Sequence, residues 1–485
     1  MAVRMFAAIE IGSFALELGI YEISEKTGIR CVDHIRHVIA LGSDTFSEGK
    51  ISYGLADEMC SVLEDFTGIM KTYRVREYRA YGTTAMREAK NSQIILDQIR
   101  VRTGLKVRII SNSEQRFISY KAVAAKTGEF NRIIQKGTAI VDVGFGSAQI
   151  SLFDKDTLVT TQSLPLGTLR IRSQLAKIPA SVRSHCLHIE ELVDNELITF
   201  RKMYLKDRKI DNLIGIGTNI TYLMRQLGLN TAADRVDAKE MELFYERLSQ
   251  MTLDQIEERF NVNSRVMEVT GAGQFWIPDI GLCDGIAAEY ANDCRLLRFS
   301  HSFENDILAA ARNMAKRYKC HAGHNQMLEQ YALSIFDTAR KFHGMGARER
   351  LLLQIAVTLH GCGKVISIRN EIIANAVRYN IRDFDYDTIQ LETQIGEDGS
   401  GNLNRSAITI LIAKLTAILR LANSMDKTHK SKLADCRMAI REGELVITTG
   451  YTGDLALERA SFEQKADFFE EIFGIRPVLK QKRRA

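Results

Sequence analysis

A duplicated α/β unit, followed by an all-helical block and a small α+β end, is the fold class that the sequence predicts. Three observations carry it. The stretch Ala139 to Leu152 is a β-branched run ending on Asp142, a reversal through Gly144 and Gly146, then alternation at Ala148, Ile150 and Leu152. The same pattern occurs at Ala8 to Ile20, where Glu10 precedes Gly12 and Ser13, and Leu16, Leu18 and Ile20 alternate. From Phe303 onward the apolar period changes from two to 3.6, the spacing of a helical face.

Each hairpin has one face expected to be buried, because its apolar residues recur with period two. Glycine at the reversal lets the backbone approach a ligand closely, with its N–H groups facing inward. An acid at the end of the first strand could hold a cation against an anion cradled there, a combination suited to phosphate and Mg²⁺. Glu10 and Asp142 occupy matching positions, so two such loops would face each other across a cleft.

The elements follow in order. Strands are expected near 5–11, 15–23 and 29–39, then a helix near 53–73. A strand at Tyr78–Tyr81, a helix near 91–103, a strand at Val107–Ile110 and a helix starting at Ser113 complete the first unit, 1–125. Ser113 is placed as its N-cap, and such a helix start offers free N–H groups to an anion. The second unit, 126–300, repeats the scheme with strands near 137–143, 147–154 and 157–164 and helices near 168–177 and 184–205. Asn212 to Gly217 reads as a buried strand ending in a glycine turn, with Thr218 capping the next helix. Residues 301–430 form the helical block, with apolar stripes such as Ile307, Leu308, Ala311, Met314 and Ala315. Residues 431–485 return to strands around Leu445–Thr448 and Leu455–Leu457, a helix near 462–473 and a last strand at Val478.

Composition narrows the classes. The 485 residues, 45% hydrophobic and 26% charged, describe an ordinary globular protein with room for several domains. No apolar run approaches the ~20 residues of a membrane span, and the chain begins directly on a strand, so neither membrane nor leader is expected. Eight cysteines without a C-x-x-C pair read as reduced thiols of a cytoplasmic chain. A net charge of +5 is too mild to suggest a specific nucleic-acid partner.

The order of motifs resembles the exopolyphosphatase/guanosine pentaphosphate phosphohydrolase (Ppx/GppA) family. The resemblance rests on the loop Ala8 to Ser13; Gly82 to Asn91, similar to T-S-A-x-R-E-A-x-N; Ser113, Glu114 and Gln115, similar to S-G-x-E-E-A; the second loop at Asp142; Ser163 to Gly167; and Gly281 to Gly285, similar to G-L-R-E-G. It covers most of residues 5–290 and implies a duplicated actin-like, ribonuclease H-like ATPase fold. The helical block resembles the HD-like domain of the family's longer members, followed by the α+β cap.

The resemblance implies Mg²⁺-dependent hydrolysis of terminal phosphoanhydride bonds of polyphosphate or pppGpp in a cytoplasmic homodimer. Glu114 would position the water and Arg87 would grip the terminal phosphate. Glu10 and Asp142 would hold Mg²⁺, and Gly12, Ser13, Gly144, Gly146 and Ser147 would supply phosphate donors. Several departures favour the alternative, a weakened member that binds and senses polyphosphate or (p)ppGpp. Glu10 replaces an aspartate, Phe14 and Phe145 enter the two loops, and Gln115 replaces the second glutamate of the E-E pair. In the helical block Gly361 follows His360 where an aspartate is usual, so its HD metal site is expected to be degenerate.

Overall fold

The computed structural model describes residues 3–126, 130–176, 185–217, 235–237, 274–278, 280–299, 301–362, 371–380, 382–386, 389 and 401–482. Thr218 and the end of the basic C-terminal tail lie outside them. The chain divides into two compact units, 1–302 and 303–485.

In the first unit, β1 (Arg4–Ile11), β2 (Ala15–Ser24) and β3 (Gly28–Val38) form an antiparallel meander. After α1 (Leu41–Glu48) and α2 (Tyr53–Thr72), β4 (Glu77–Gly82) pairs parallel to β1. Two helices, α3 (Thr84–Glu88) and α4 (Ser92–Thr103), then lead to β5 (Val107–Ile109). The resulting sheet order is β3-β2-β1-β4-β5.

After α5 (Asn112–Lys126) and the short α6 (Phe130–Ile133), the scheme recurs. β6 (Thr138–Val143), β7 (Ala148–Asp154) and β8 (Thr157–Leu164) form the second meander. Helices α7 (Thr168–Leu175) and α8 (His185–Phe200) follow, and β9 (Asn212–Ile216) runs parallel to β6. The sheet closes with β10 (Arg235–Asp237) and β11 (Gln274–Trp276), in the order β10-β11-β9-β6-β7-β8. Read from its meander side, this is the first sheet again with one added edge strand. The duplication inferred from two hairpins extends to whole sheets.

Both faces of the first hairpin are buried, not one. Ile9, Leu16 and Leu18 pack with Met59, Leu63 and Phe66 of α2. Phe6, Ala8 and Tyr21 pack on the other side against α9 (Leu282–Asp293), through Cys283, Ile286 and Tyr290. Thus a helix late in the second half covers the sheet of the first. Arg79 and Lys121 fix it by ion pairs to Glu289, at 3.2 and 2.8 Å.

The second unit contains α10 (Phe303–Arg317), α11 (Ala322–Thr338), α12 (Arg340–His343), α13 (Ala347–Leu359), α14 (Glu371–Tyr379) and α15 (Gly401–Met425). A sheet of β12 (Arg437–Arg441), β13 (Glu444–Thr449) and β14 (Arg476–Gln481) follows, with α16 (Ala456–Phe473) between its last two strands. One core runs from Leu308 through Leu353 and Leu421 to Phe469 and Leu479, so helices and sheet are a single packed body rather than two domains meeting at 430. Leu455–Leu457, expected as strand, instead starts α16: Leu455 is buried at the head of a helical stripe continuing through Phe462 and Phe469, while Leu457 is exposed. Ser406–Met425 has the length and hydropathy of a membrane span despite the expectation that no such run exists, but 72% of that window is buried inside the fold. It is the central helix of this core.

Candidate active site

The two glycine loops are built alike. At the end of β1, Gly12 N–H donates to Ala15 O at 2.9 Å; at the end of β6, Gly144 N–H donates to Ser147 O at 3.0 Å. A Cβ on Gly12 would lie 2.8 Å from Ala15 O, and one on Gly146 would lie 2.8 Å from Thr84 Cγ2, so both turns need glycine. Ser13 and Ser147 are buried within them. Together the loops line one cleft. Glu10, Gly12, Ser13, Asp142, Gly144, Gly146 and Ser147, all expected at the site, are brought together there. The turn ending at Gly217 joins them, with φ +108° and its Cβ position 3.2 Å from Asp142 Oδ1.

Register explains the electrostatics. Glu10 stands opposite Glu17 in the β1–β2 pairing, and Asp142 stands opposite Gln149 in β6–β7. Glu17, also in the lining, is held by Arg36 Nε at 3.3 Å and His34 Nε2 at 3.2 Å. Burial, then the charges of Glu17 and Asp142, push the Glu10 carboxyl well above its ordinary value, with Arg36 opposing. Burial also pushes Asp142 up to about 6, although Ser119 Oγ donates to its Oδ2 at 3.2 Å. Two carboxyls so disfavoured as anions fit a cation that would offset the cost. Among the described residues no three metal-ligating side chains form a cage. Mg²⁺ does not demand one, since it binds through one or two carboxylates plus substrate phosphates.

Glu114 is not in the cleft. Ser111, rather than Ser113, starts α5, and Ser111-x-x-Glu114 forms a reciprocal capping box: Glu114 N–H donates to Ser111 Oγ at 3.2 Å and Ser111 N–H to Glu114 Oε2 at 2.9 Å. Arg108 Nη1 holds the other oxygen at 2.6 Å, on a side chain 45% exposed. Against the penalty of partial burial, the Ser111 N–H and the Arg108 guanidinium hold this carboxyl below the usual carboxylate range. One residue on, helical rotation turns Gln115 into the lining, with its Oε1 buried and without a hydrogen-bond partner among the described residues. Arg87 is not in the lining either. It lies in the short helix α3 and donates to Ile110 O at 2.7 Å, to Thr84 Oγ1 at 2.9 Å and to Asn112 Oδ1. It braces Thr84, which does line the cleft.

Glu17, Thr84, Gln115 and Ser119 are lining residues that sequence reasoning did not assign to the site. The S-x-x-E spacing at Ser111 was the available signal for Gln115, because it directs Glu114 back to the cap. The two aromatic insertions meet: Phe14 and Phe145 stack across the loops with ring centroids 4.2 Å apart.

Residues 1–302 are thus a duplicated α/β protein of the actin-like class, with two loop-bearing sheets flanking one cleft. Residues 20–276 match the Ppx/GppA phosphatase family, and the chain belongs to it. It is similar to exopolyphosphatase 1 of Mycobacterium leprae (strain TN), 27% identical over 196 residues, which are 40% of this chain and 56% of that protein. It is also similar to guanosine-5'-triphosphate,3'-diphosphate pyrophosphatase of Photobacterium profundum, 24% identical over 164 residues, 34% of this chain and 32% of that protein. The chain therefore spans about half the length, or less, of these curated relatives. A crystal structure of an exopolyphosphatase from Cytophaga hutchinsonii ATCC 33406 has a similar fold, with a TM-score of 0.52 at 16% identity over 60% of this chain and 98% of that one.

Proposed function

We propose that this chain hydrolyses terminal phosphoanhydride bonds of inorganic polyphosphate or of a guanosine polyphosphate such as pppGpp. The observation that carries this reading is the pair of equivalent glycine loops placing Glu10 and Asp142 at one cleft. Loop N–H groups with the Ser13 and Ser147 hydroxyls would bind and orient the terminal phosphate. Glu10 and Asp142 would hold Mg²⁺, which when bound supplies neutralisation of charge on the phosphoryl oxygens. Phosphoryl transfer through a loose transition state depends mainly on positioning, and an amide oxygen can orient the attacking water. Gln115 Oε1, a buried acceptor in the lining, suits that part better than Glu114.

A second reading, binding without turnover, is favoured by one specific observation: the α5 residues lining the cleft, Gln115 and Ser119, carry an amide and a hydroxyl rather than a carboxylate. Phosphate release by purified protein, offered polyphosphate and pppGpp separately with and without Mg²⁺, separates the two. Mg²⁺-dependent release supports hydrolysis. Binding without release supports the sensor.

A further inference from the structure

Two cysteines of the second unit lie at the ends of different helices yet meet. Cys320 follows α10, where its N–H donates to Ala315 O at 3.0 Å, and Cys362 follows α13. Their Sγ atoms are 3.1 Å apart, although the residues are 42 positions apart in the chain. Gly361 makes the approach possible: a Cβ there would lie 3.2 Å from Cys320 Sγ. Cys320 is partly exposed and Cys362 is buried. The neighbouring residues His321 and His360 flank a connected set of imidazoles, in which His429 stacks on His324 with centroids 3.8 Å apart and His324 Nδ1 lies 2.7 Å from Asp426 Oδ2.

We propose that Cys320 and Cys362 are a thiol pair that a hydroperoxide converts reversibly to a disulfide. The partly exposed member reacts first: the Cys320 sulfur takes one oxygen from hydrogen peroxide, giving a sulfenic acid and releasing water. Cys362 sulfur then attacks that sulfur; its proton leaves with the displaced hydroxyl as a second water, and the S–S bond forms. Two electrons pass from the thiols to the peroxide overall. Only about 1 Å of further approach reaches bonding distance, and the fixed contact gives the second step intramolecular advantage. Burial, with Cys320 beside it, pushes the Cys362 thiol up to about 12. Among the described residues, the other cysteines Cys31, Cys60, Cys283, Cys294 and Cys436 have no comparable sulfur neighbour. The bond would tie the start of α11 to the end of α13, raising the thermal midpoint of this unit by closing a long loop in its unfolded state.

The test is peroxide treatment of the full chain, followed by non-reducing digestion and mass spectrometry. A linked peptide containing Cys320 and Cys362, lighter by two hydrogens and released by dithiothreitol, is expected. Cys362→Ser should leave a sulfenic acid on Cys320 that dimedone traps, and Cys320→Ser should leave Cys362 unmodified. The proposal is overturned if treated wild type carries oxygen on Cys320 with no linked peptide. It is equally overturned if both thiols stay unmodified, or if Cys320 links to other cysteines as readily as to Cys362.

Discussion

Phe14 and Phe145, one from each glycine loop, stack face to face with centroids 4.2 Å apart and an interplanar angle of 22°, joining the two lobes at the cleft. The loop backbone is not strained to admit Phe145, which is not among the described non-glycine residues with positive φ, and its carbonyl accepts from Leu169 N–H at 3.0 Å. What the substitution changes is the ring. Phe145→Gly should lower thermal stability by the ~0.5–1.5 kcal/mol of an aromatic pair, while tightening phosphate binding by opening the loop. Calorimetric unfolding and titration with tripolyphosphate check both. Unchanged affinity would show that the ring does not limit access.

The division of labour between adjacent residues of α5 gives a second prediction. Glu114→Gln should cost about 1 kcal/mol through the weakened cap, with any turnover held within about twofold of wild type. Gln115→Glu places a carboxylate in the cleft and should raise phosphate release by ~10²-fold or more if a base is what the site lacks. Gln115→Ala should lower release while sparing ligand affinity. Loss of turnover in Glu114→Gln at unchanged stability would reverse the assignment.

A third prediction follows from Asp142, whose carboxyl is pushed up to about 6 by burial. With a raised value in the folded state, the native chain holds more protons than the unfolded one between about pH 4 and 6. This group's favourable contribution is therefore complete below that window and is lost as pH rises through it. Asp142→Asn should accordingly raise the thermal midpoint near about pH 8 and lose that advantage near about pH 4. Mg²⁺ binding runs the other way, because it needs the ionised form. Apparent Mg²⁺ affinity should weaken about tenfold per unit below about pH 6. A flat profile would place the cation elsewhere.

Much of this architecture was legible because it is local. Alternation broken by glycine marked both hairpins, and the matching acids at Glu10 and Asp142 revealed the duplication before any sheet order was known. Non-local packing was not legible. Nothing in the periodicity of Leu282–Asp293 says that this helix returns to the first sheet, where Ile286 and Tyr290 meet Phe6 and Ala8. The short helix Leu41–Glu48 carries no start signal in the sequence, because it begins after Ala40 in a left-handed conformation, φ 51°, without a side-chain cap. At the site, glycines and acids at strand ends were placed by the backbone and so were readable. Glu114 and Arg87 depended on where side chains turn, which Ser111 and Thr84 decide.

Whether Glu10 and Asp142 hold a cation against phosphate is asked most directly by titrating the chain with tripolyphosphate, with and without Mg²⁺, in wild type and Asp142→Asn. Wild type should bind in a Mg²⁺-dependent manner, and Asp142→Asn should lose at least about tenfold in that affinity, the equivalent of ~1.4 kcal/mol, while remaining folded. Equal binding by both proteins, or binding indifferent to Mg²⁺, would contradict a cation site between the two loops.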